Sequence, residues 1–277
     1  MILDGKMVRD NILEDLKKQI KENDLKIKLA ILLVGDNETS KVYVRNKINA
    51  CKSVGIECNL LKYPDTLKET ELLAIIKELN NNNEITGIIL QSPVPKSINF
   101  DKCVENIMPS KDVDGFTKEN IYNLYLGNKT IMPCTVKGII KLLDYYNISL
   151  TGKKVLVIGR GNIVGKPLGL ALLNKNATVT WAHSYTNNLK ELTLNADIII
   201  SAVGIPKLIT ADMVNDNTVI IDVGISVIDN KIIGDADFIN LKDKVAYITP
   251  TPGGIGPMTV AMIIDNLVEM KSDNKGV

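Results

Sequence analysis

Aromatic residues are scarce, at 4% of the 277-residue chain, with one tryptophan and three phenylalanines. Proteins that hold single-stranded nucleic acid stack its bases on aromatic rings, and so small a supply argues against that role. No sign of charge dominates: 33 Lys and Arg face 32 Asp and Glu, for a net charge of +1. Without a basic cluster, neither a nucleic-acid nor a membrane footprint is expected. There is a single histidine, His183, and the four cysteines (Cys51, Cys58, Cys103, Cys134) show no C-x-x-C spacing and none lies near it in sequence. That excludes a recognisable zinc site, so no metal is expected, and it suits free thiols in a reducing compartment. No apolar run reaches the ~18 residues of a membrane span. The opening MILDGKMVRDNILEDLKKQIK is too charged for a signal peptide, so a soluble, cytoplasmic protein is expected.

What the chain does have is apolar residues, 45% of the total, in two kinds of pattern. Val8, Ile12, Leu16 and Ile20 recur at helical spacing over 6–22. KLAILLVG (28–35), IECNLLKYP and ITGIILQ are short continuous apolar runs, separated by helical stretches at 39–55 and LKETELLAIIKELN. Uninterrupted apolar strands alternating with helices imply parallel sheet covered on both faces. The pattern restarts with KKVLVIG, ATVTWA, ADIIISAVG, TVIIDVGI and VAYITP. Irregular Pro-containing segments (93–117, 131–135) lie between the two sets, and helices near 120–126 and 137–147 serve as joints. The expected fold is therefore α/β, in two domains, the second a Rossmann-like doubly wound parallel sheet, with a cleft between them.

Strand 154–158 runs into Gly159-Arg160-Gly161-Asn162-Ile163-Val164-Gly165, then a helix over 163–174, and the next strand begins at Ala177. Such a strand, glycine turn and helix bring backbone N–H groups to a pyrophosphate. The turn is one residue longer than G-x-G-x-x-G before its third glycine. An NAD-preferring site places Asp or Glu about 20 residues on, at the end of the second strand. Here that place reads WAHSYTNN, and no carboxylate occurs before Glu191. With Arg160 in the turn, the site favours NADP.

On helix 39–55, Val44, Ile48, Cys51 and Val54 define an apolar stripe, while Lys41, Arg45, Asn49 and Lys52 occupy the opposite face. Lys47 falls inside the stripe, with Ser40 and Tyr43 beside it at i−7 and i−4. A lone lysine so placed snorkels to the rim. One flanked by Tyr and Ser is a candidate for moving protons near neutrality. Three further segments, QSPVPKS (91–97), PSKDVDGF (109–116) and PTPGGIGPMT (250–259), fall where strands end and read together as site-forming loops.

In order along the chain, YVRNK with Lys47, QSPVP, PSKDVDGF, PCTVKGI, VIGRGNIVGKP, ATVTWAHSYT, ADIIISAVG, IDVGI and PTPGGIGPMT resemble the motifs of bifunctional methylenetetrahydrofolate dehydrogenase/methenyltetrahydrofolate cyclohydrolase, the FolD family, over nearly the whole chain. The resemblance implies a folate-binding catalytic domain at 1–137, completed by a C-terminal helix at 258–277, and an NADP-binding domain at 138–257. It implies a homodimer acting on one-carbon derivatives of tetrahydrofolate, by oxidation of the 5,10-methylene form and hydrolysis of the methenyl product to 10-formyltetrahydrofolate. Lys47 matches the catalytic lysine, Tyr43 the aromatic against the folate, Gln91 the lysine's polar partner and Asp114 the carboxylate on the pterin's amino edge. Ser40, Pro252, Gly253, Gly256 and Thr259 complete the implied substrate contacts. The implied cofactor contacts are Gly159, Arg160, Gly161, Ile163, Gly165, His183, Ser184, Thr186, Gly204 and Ile225. The chain departs from the usual family pattern at Gly161 (Ser), Ser92 (Leu) and Val136 (Pro); Gly161 removes a possible hydroxyl contact to the phosphate, and none of the three removes a residue with a chemical role. A shikimate dehydrogenase-like enzyme and a non-catalytic dinucleotide-binding module are the alternatives.

Overall fold

The apolar runs become parallel strands. The computed structural model describes residues 1–229 and 231–273. In chain order the elements are α1 (Gly5–Glu22), β1 (Lys28–Val34), α2 (Glu38–Val54), β2 (Glu57–Tyr63), α3 (Glu69–Asn81), β3 (Gly87–Leu90), α4 (Phe100–Glu105), α5 (Lys118–Leu126) and α6 (Cys134–Tyr145). There follow β4 (Lys154–Ile158), α7 (Gly165–Asn174), β5 (Thr178–Ala182), α8 (Leu189–Leu194), β6 (Ile198–Ser201) and β7 (Val219–Asp222). The last are β8 (Ser226–Ile228), β9 (Lys231–Ile233), α9 (Phe238–Leu241), β10 (Tyr247–Ile248) and α10 (Ile255–Asp273).

Two compact units result. One comprises Asn11–Asn123, Asn128–Cys134 and the chain from Val260; the other Met1–Asp10, Leu124–Gly127 and Thr135–Thr259. The first unit holds a parallel sheet of order β2-β1-β3. Its central strand explains the uninterrupted apolar run: Leu29, Ile31 and Leu33 enter one core, with Val44, Cys51 and Val54 of α2, while Ala30, Leu32 and Val34 enter a second, with Leu72 and Ile76 of α3. A strand buried on both faces has no polar face to alternate with.

The second unit holds a parallel sheet of order β10-β7-β6-β4-β5. The chain passes from β4 outward to β5, then returns to β6 on the other side of β4. The doubly wound order places a topological switch point between β4 and β6, where ligands bind open α/β sheets. β8 and β9 pair antiparallel outside this sheet, a hairpin that the apolar pattern does not predict.

Residues 1–10, expected with the first sheet, lie in the unit of the second. Leu3 N donates to Ile248 O (2.8 Å) and Ile248 N to Met1 O (3.1 Å), which binds the start of the chain alongside β10. Of the expected C-terminal helix 258–277, residues 274–277 lie outside the described residues. Among the described residues no helix is long and apolar enough to cross a membrane.

Candidate active site

Helix α2 starts under a side-chain cap, Asn37 Oδ1 accepting from Ser40 N at 2.9 Å. That leaves the Ser40 hydroxyl, itself buried, to donate to Ser92 O at 3.3 Å. Gln91 Nε2 donates to the same carbonyl at 2.7 Å. The start of α2 and the loop leaving β3 are thus tied through one oxygen atom, just before the cis Ser92–Pro93 bond. The arrangement leaves Gln91 Oε1 buried with no hydrogen-bond partner. A buried amide oxygen left unpaired costs about 1–3 kcal/mol, so it marks a place where a donor belongs. One and two turns after Ser40, Tyr43 is 43% exposed and Lys47 half-buried. Ile48, expected in the buried stripe, is half-buried, and Ala50 is buried instead.

The loop PSKDVDGF separates its three charges by task. Lys111 Nζ donates to the carbonyls of Leu79, Asn80 and Asn82 (3.1, 2.8 and 2.7 Å), closing the C-terminal end of α3. Asp112, 1% exposed, accepts from Gly115 N (3.0 Å), Thr117 N (2.7 Å) and Asn120 Nδ2 (3.1 Å). Burial pushes its carboxyl above the usual value against those bonds, with a smaller push from Asp114. Asp112 braces the turn, and Asp114, half-buried, is the carboxylate left available. Spacing alone does not separate the two; the family resemblance is what singles out Asp114.

In the other unit, the Gly159 turn sits at the switch point. Gly159 has φ 116° and donates its N–H to Ala182 O at 2.8 Å. A Cβ there would stand 2.8 Å from Ala202 O, so only glycine lets the turn lie against the loop that leaves β6. Gly165 packs its Cα face onto the Gly159 backbone. Its carbonyl accepts from Trp181 Nε1 at 2.9 Å. Ile163 and Val164 remain outside the helix, so α7 starts at Gly165 and not at Ile163. Gly161 has open space around it, and Gly161 and Ile163 are exposed.

After β5, His183 N donates to Thr186 Oγ1 (2.8 Å), Thr186 N to His183 O (2.8 Å) and Tyr185 N to His183 Nδ1 (3.2 Å). This tight turn leaves Ser184 exposed and presents the Tyr185 ring to Arg160, whose guanidinium carbon lies 5.8 Å from the ring centroid. Arg160, His183, Ser184 and Thr186 are thereby brought to one edge of the unit.

The loop after β6 is organised by a residue that sequence reading missed. Asp235, fully buried, accepts from Ser201 Oγ (2.8 Å), Val203 N (2.9 Å) and Ile205 N (2.8 Å), and so positions Gly204 between them. Ser226 Oγ donates to Gly204 O at 2.8 Å, bringing the exposed Ile225 segment alongside. Asp222, at the end of β7, accepts from Asp235 N (2.9 Å) and Ala236 N (3.1 Å). Burial pushes its carboxyl up to about 6, against those backbone bonds. The only sequence signal was the clustering of GDAD after IDVG, which resembles any turn.

In the 250–259 loop, Thr251–Pro252 is cis and Gly253 has φ 115°. Gly253 O accepts from Lys6 N at 3.1 Å. Pro252 and Gly256 are exposed. Thr259 Oγ1 lies 3.2 Å from Thr135 Oγ1 and donates to Ile255 O at 3.2 Å. Among the described residues no group of three or more His, Cys, Asp or Glu could hold a metal ion. The open turn at Gly159, with a cation and a hydroxyl at its edge and no carboxylate from Trp181 to Asn188, fits a dinucleotide carrying an extra phosphate.

Two family models cover most of the chain. The tetrahydrofolate dehydrogenase/cyclohydrolase catalytic domain matches residues 3–114, and the NAD(P)-binding domain of the same enzymes matches 133–275. The chain is 46% identical over 271 residues to the bifunctional protein FolD of Thermodesulfovibrio yellowstonii, covering 96% of this chain and 95% of that protein. The solved FolD methylenetetrahydrofolate dehydrogenase/cyclohydrolase of Campylobacter jejuni superposes with a TM-score of 0.96 at 42% identity, covering 99% of each chain. The Trypanosoma brucei dehydrogenase-cyclohydrolase, solved with NADP cofactor and an inhibitor, gives a TM-score of 0.95 at 29% identity, covering 100% of this chain and 99% of that one.

Proposed function

This chain belongs to the tetrahydrofolate dehydrogenase/cyclohydrolase family, and from that membership we propose that it carries out two successive reactions on one folate. It oxidises 5,10-methylenetetrahydrofolate to the methenyl cation with NADP, then adds water to that cation to give 10-formyltetrahydrofolate. NADP supplies the first step by accepting a hydride. The protein's own groups bind, orient and move protons.

In the hydrolysis, water attacks the methenyl carbon and gives up both its protons as the carbonyl forms; the bond from that carbon to one ring nitrogen breaks, that nitrogen takes one of the protons, and the other is released. Lys47 is the group assigned to carry those protons. The observation that carries the reading is the buried, unpaired Gln91 Oε1 at the end of β3, in the unit that also carries Lys47. It offers an acceptor to an ammonium or to a water bound beside it. Tyr43, exposed one turn before Lys47, is assigned to lie against the substrate ring, with Ser40 holding the adjacent loop. Asp114 is assigned to the amino edge of the pterin, where a carboxylate accepts charge-assisted hydrogen bonds. Pro252, Gly253, Gly256 and Thr259 carry the remaining proposed substrate contacts.

The NADP contacts proposed are Gly159, Arg160, Gly161, Ile163, Gly165, His183, Ser184, Thr186, Gly204 and Ile225, with Arg160 and Ser184 on the 2′-phosphate. The assembly proposed is a homodimer, for which the exposed apolar residues of the β8–β9 hairpin, Val227, Ile228 and Ile232, supply a surface that favours cover. The four cysteines, none of them in a disulfide, suit a cytoplasmic location. The test is one mixture of methylenetetrahydrofolate and NADP, followed at once for NADPH and for the methenyl chromophore. NADPH formation with transient methenyl and final formyl product is expected. NADPH without hydrolysis would remove the second activity, and no NADPH would remove the first.

A further inference from the structure

The assigned chemistry leaves two thiols beside Lys47 unused. Helix α2 ends at Val54, and Gly55, with φ 86°, reverses the chain into β2. Along β2 the side chains alternate: Cys58 and Leu60 pack on the core that contains Cys51, whereas Leu61 and Tyr63 pack on the other. The reversal therefore sets Cys58 on the core that holds Cys51, which stands one turn after Lys47 on α2. Cys51 is fully buried, Cys58 half-buried, and β2 is an edge strand of its sheet.

The two sulfurs are electrically unequal. The Cys51 thiol donates toward Cys58, which, with burial, pushes Cys51 up. Cys58 is held below the usual thiol value by that same hydrogen bond and by the positive charge of Lys47, against the opposing effect of burial. Thiolate character and access together decide which cysteine reacts first. The other two thiols are poor rivals. Burial pushes Cys103 up to about 11, and Cys134 is buried with its thiol on Val113 O.

We propose that Cys51 and Cys58 form a peroxide-sensitive dithiol, with Cys58 the attacking and Cys51 the resolving thiol, whose disulfide fastens α2 to β2 beside Lys47. Cys58 sulfur attacks one peroxide oxygen, the O–O bond breaks, and sulfenic acid and water form. Cys51 sulfur then attacks Cys58 sulfur, the S–O bond breaks, and a second water leaves with the Cys51 proton. Two thiols are oxidised by two electrons and one hydrogen peroxide is reduced to two waters. A bond at Cys51 restrains the helix that carries Lys47, so the oxidised form loses cyclohydrolase activity; that consequence alone rests on the proposed role of Lys47.

The experiment treats the full-length protein with hydrogen peroxide, blocks remaining thiols, and maps peptides by mass spectrometry. The expected product has lost two hydrogens, links Cys51 to Cys58, and is reversed by dithiothreitol, with loss and recovery of methenyl hydrolysis in parallel. Cys58→Ser is expected to keep hydrolysis through the same treatment. Cys51→Ala is expected to accumulate a Cys58 sulfenic acid that dimedone traps. Absence of the Cys51–Cys58 link in the wild type, or equal peroxide sensitivity of Cys58→Ser, overturns the proposal. A link that forms while hydrolysis is unchanged overturns its coupling to the helix of Lys47. The mapping needs no turnover, so it fails or succeeds independently of the assigned reaction.

Discussion

The guanidinium of Arg160 lies over the ring of Tyr185, 5.8 Å from its centroid. The contact joins the turn after β4 to the turn after β5, the turn that also carries the exposed Ser184. A stacked guanidinium keeps its N–H edge free for a phosphate. Arg160→Ala is therefore expected to raise the Michaelis constant for NADP by one to two decades, from ~1.5–3 kcal/mol for a charged hydrogen bond, and to leave NAD nearly unchanged. Tyr185→Ala should cost less, about 0.5–1 kcal/mol for an exposed cation–π contact. Steady-state kinetics with both cofactors reads the split. Equal losses for NADP and NAD would show that Arg160 only shapes the turn.

Lys47→Met should remove about 10²–10⁴-fold of methenyl hydrolysis, the usual worth of a positioned acid–base group. NADP binding should persist, because the proposed dinucleotide contacts lie in the other unit. Cofactor titration by fluorescence and hydrolysis of added methenyltetrahydrofolate separate the two. Full hydrolysis by the variant would exclude Lys47 as the proton carrier.

Asp112 and Asp114 should fail in different ways. Asp112→Ala strands the N–H of Thr117, at about 1–3 kcal/mol for a buried group left unpaired, while Gly115 N keeps Asp112 O and Asn120 Nδ2 keeps Pro109 O, so its melting temperature should fall. Asp114→Ala should melt like the wild type but bind folate one to two decades more weakly, from ~1.5–3 kcal/mol of charge-assisted hydrogen bonding. Exchanged phenotypes would exchange their assignments.

That contrast shows where sequence reading ends. The parallel strands were legible because burial on both faces leaves continuous apolar runs, as in KLAILLV. The Gly159 turn was legible because strand, glycines and helix are consecutive. Lys47 stood out because helical periodicity is local. Asp112 and Asp114 are chemically identical and two residues apart, and only the fold decides which one faces Thr117 N. Asp235 acts on Val203 and Ile205 across about thirty residues of chain, and no local pattern announces such a bond. The return of Met1–Leu3 to β10 is longer still. The β8–β9 hairpin escaped because its three-residue strands are too short for period-2 alternation to stand out.

The hairpin carries its own prediction. Val227 is 67% exposed and Ile232 44% exposed, and a lysine at either place would make a buried pairing costly through desolvation of its charge. Val227→Lys with Ile232→Lys should convert a dimer to a monomer in size-exclusion chromatography with light scattering, without loss of helical circular dichroism. A wild-type monomer would end the dimer reading.

Asp222 links the cofactor unit to pH. Burial raises its carboxyl from 3.8 to about 6, with a further push from Asp235, while the N–H groups of Ala236 and Asp235 and the Thr251 hydroxyl oppose the rise. A folded state that holds the proton more tightly than the unfolded chain gains stability from it below the unfolded value. That gain is lost as pH climbs through the folded value. Over the two units of pH between those values the difference amounts to about 3 kcal/mol, at 1.36 kcal/mol per pKa unit. The group's contribution thus favours folding at pH 4 and has gone by pH 7. Asp112 is also raised by burial and adds a slope of the same sign, so the wild-type curve alone cannot isolate Asp222. Asp222→Asn does so: it keeps one amide oxygen for the backbone N–H groups and removes the titration. Urea unfolding at pH 4.5 and 7 should show wild-type stability falling relative to the variant as pH rises, even though the variant sits lower overall for its lost acceptor. Parallel curves for the two proteins would show that Asp222 stays ionised throughout, with the backbone N–H groups of Asp235 and Ala236 outweighing its burial.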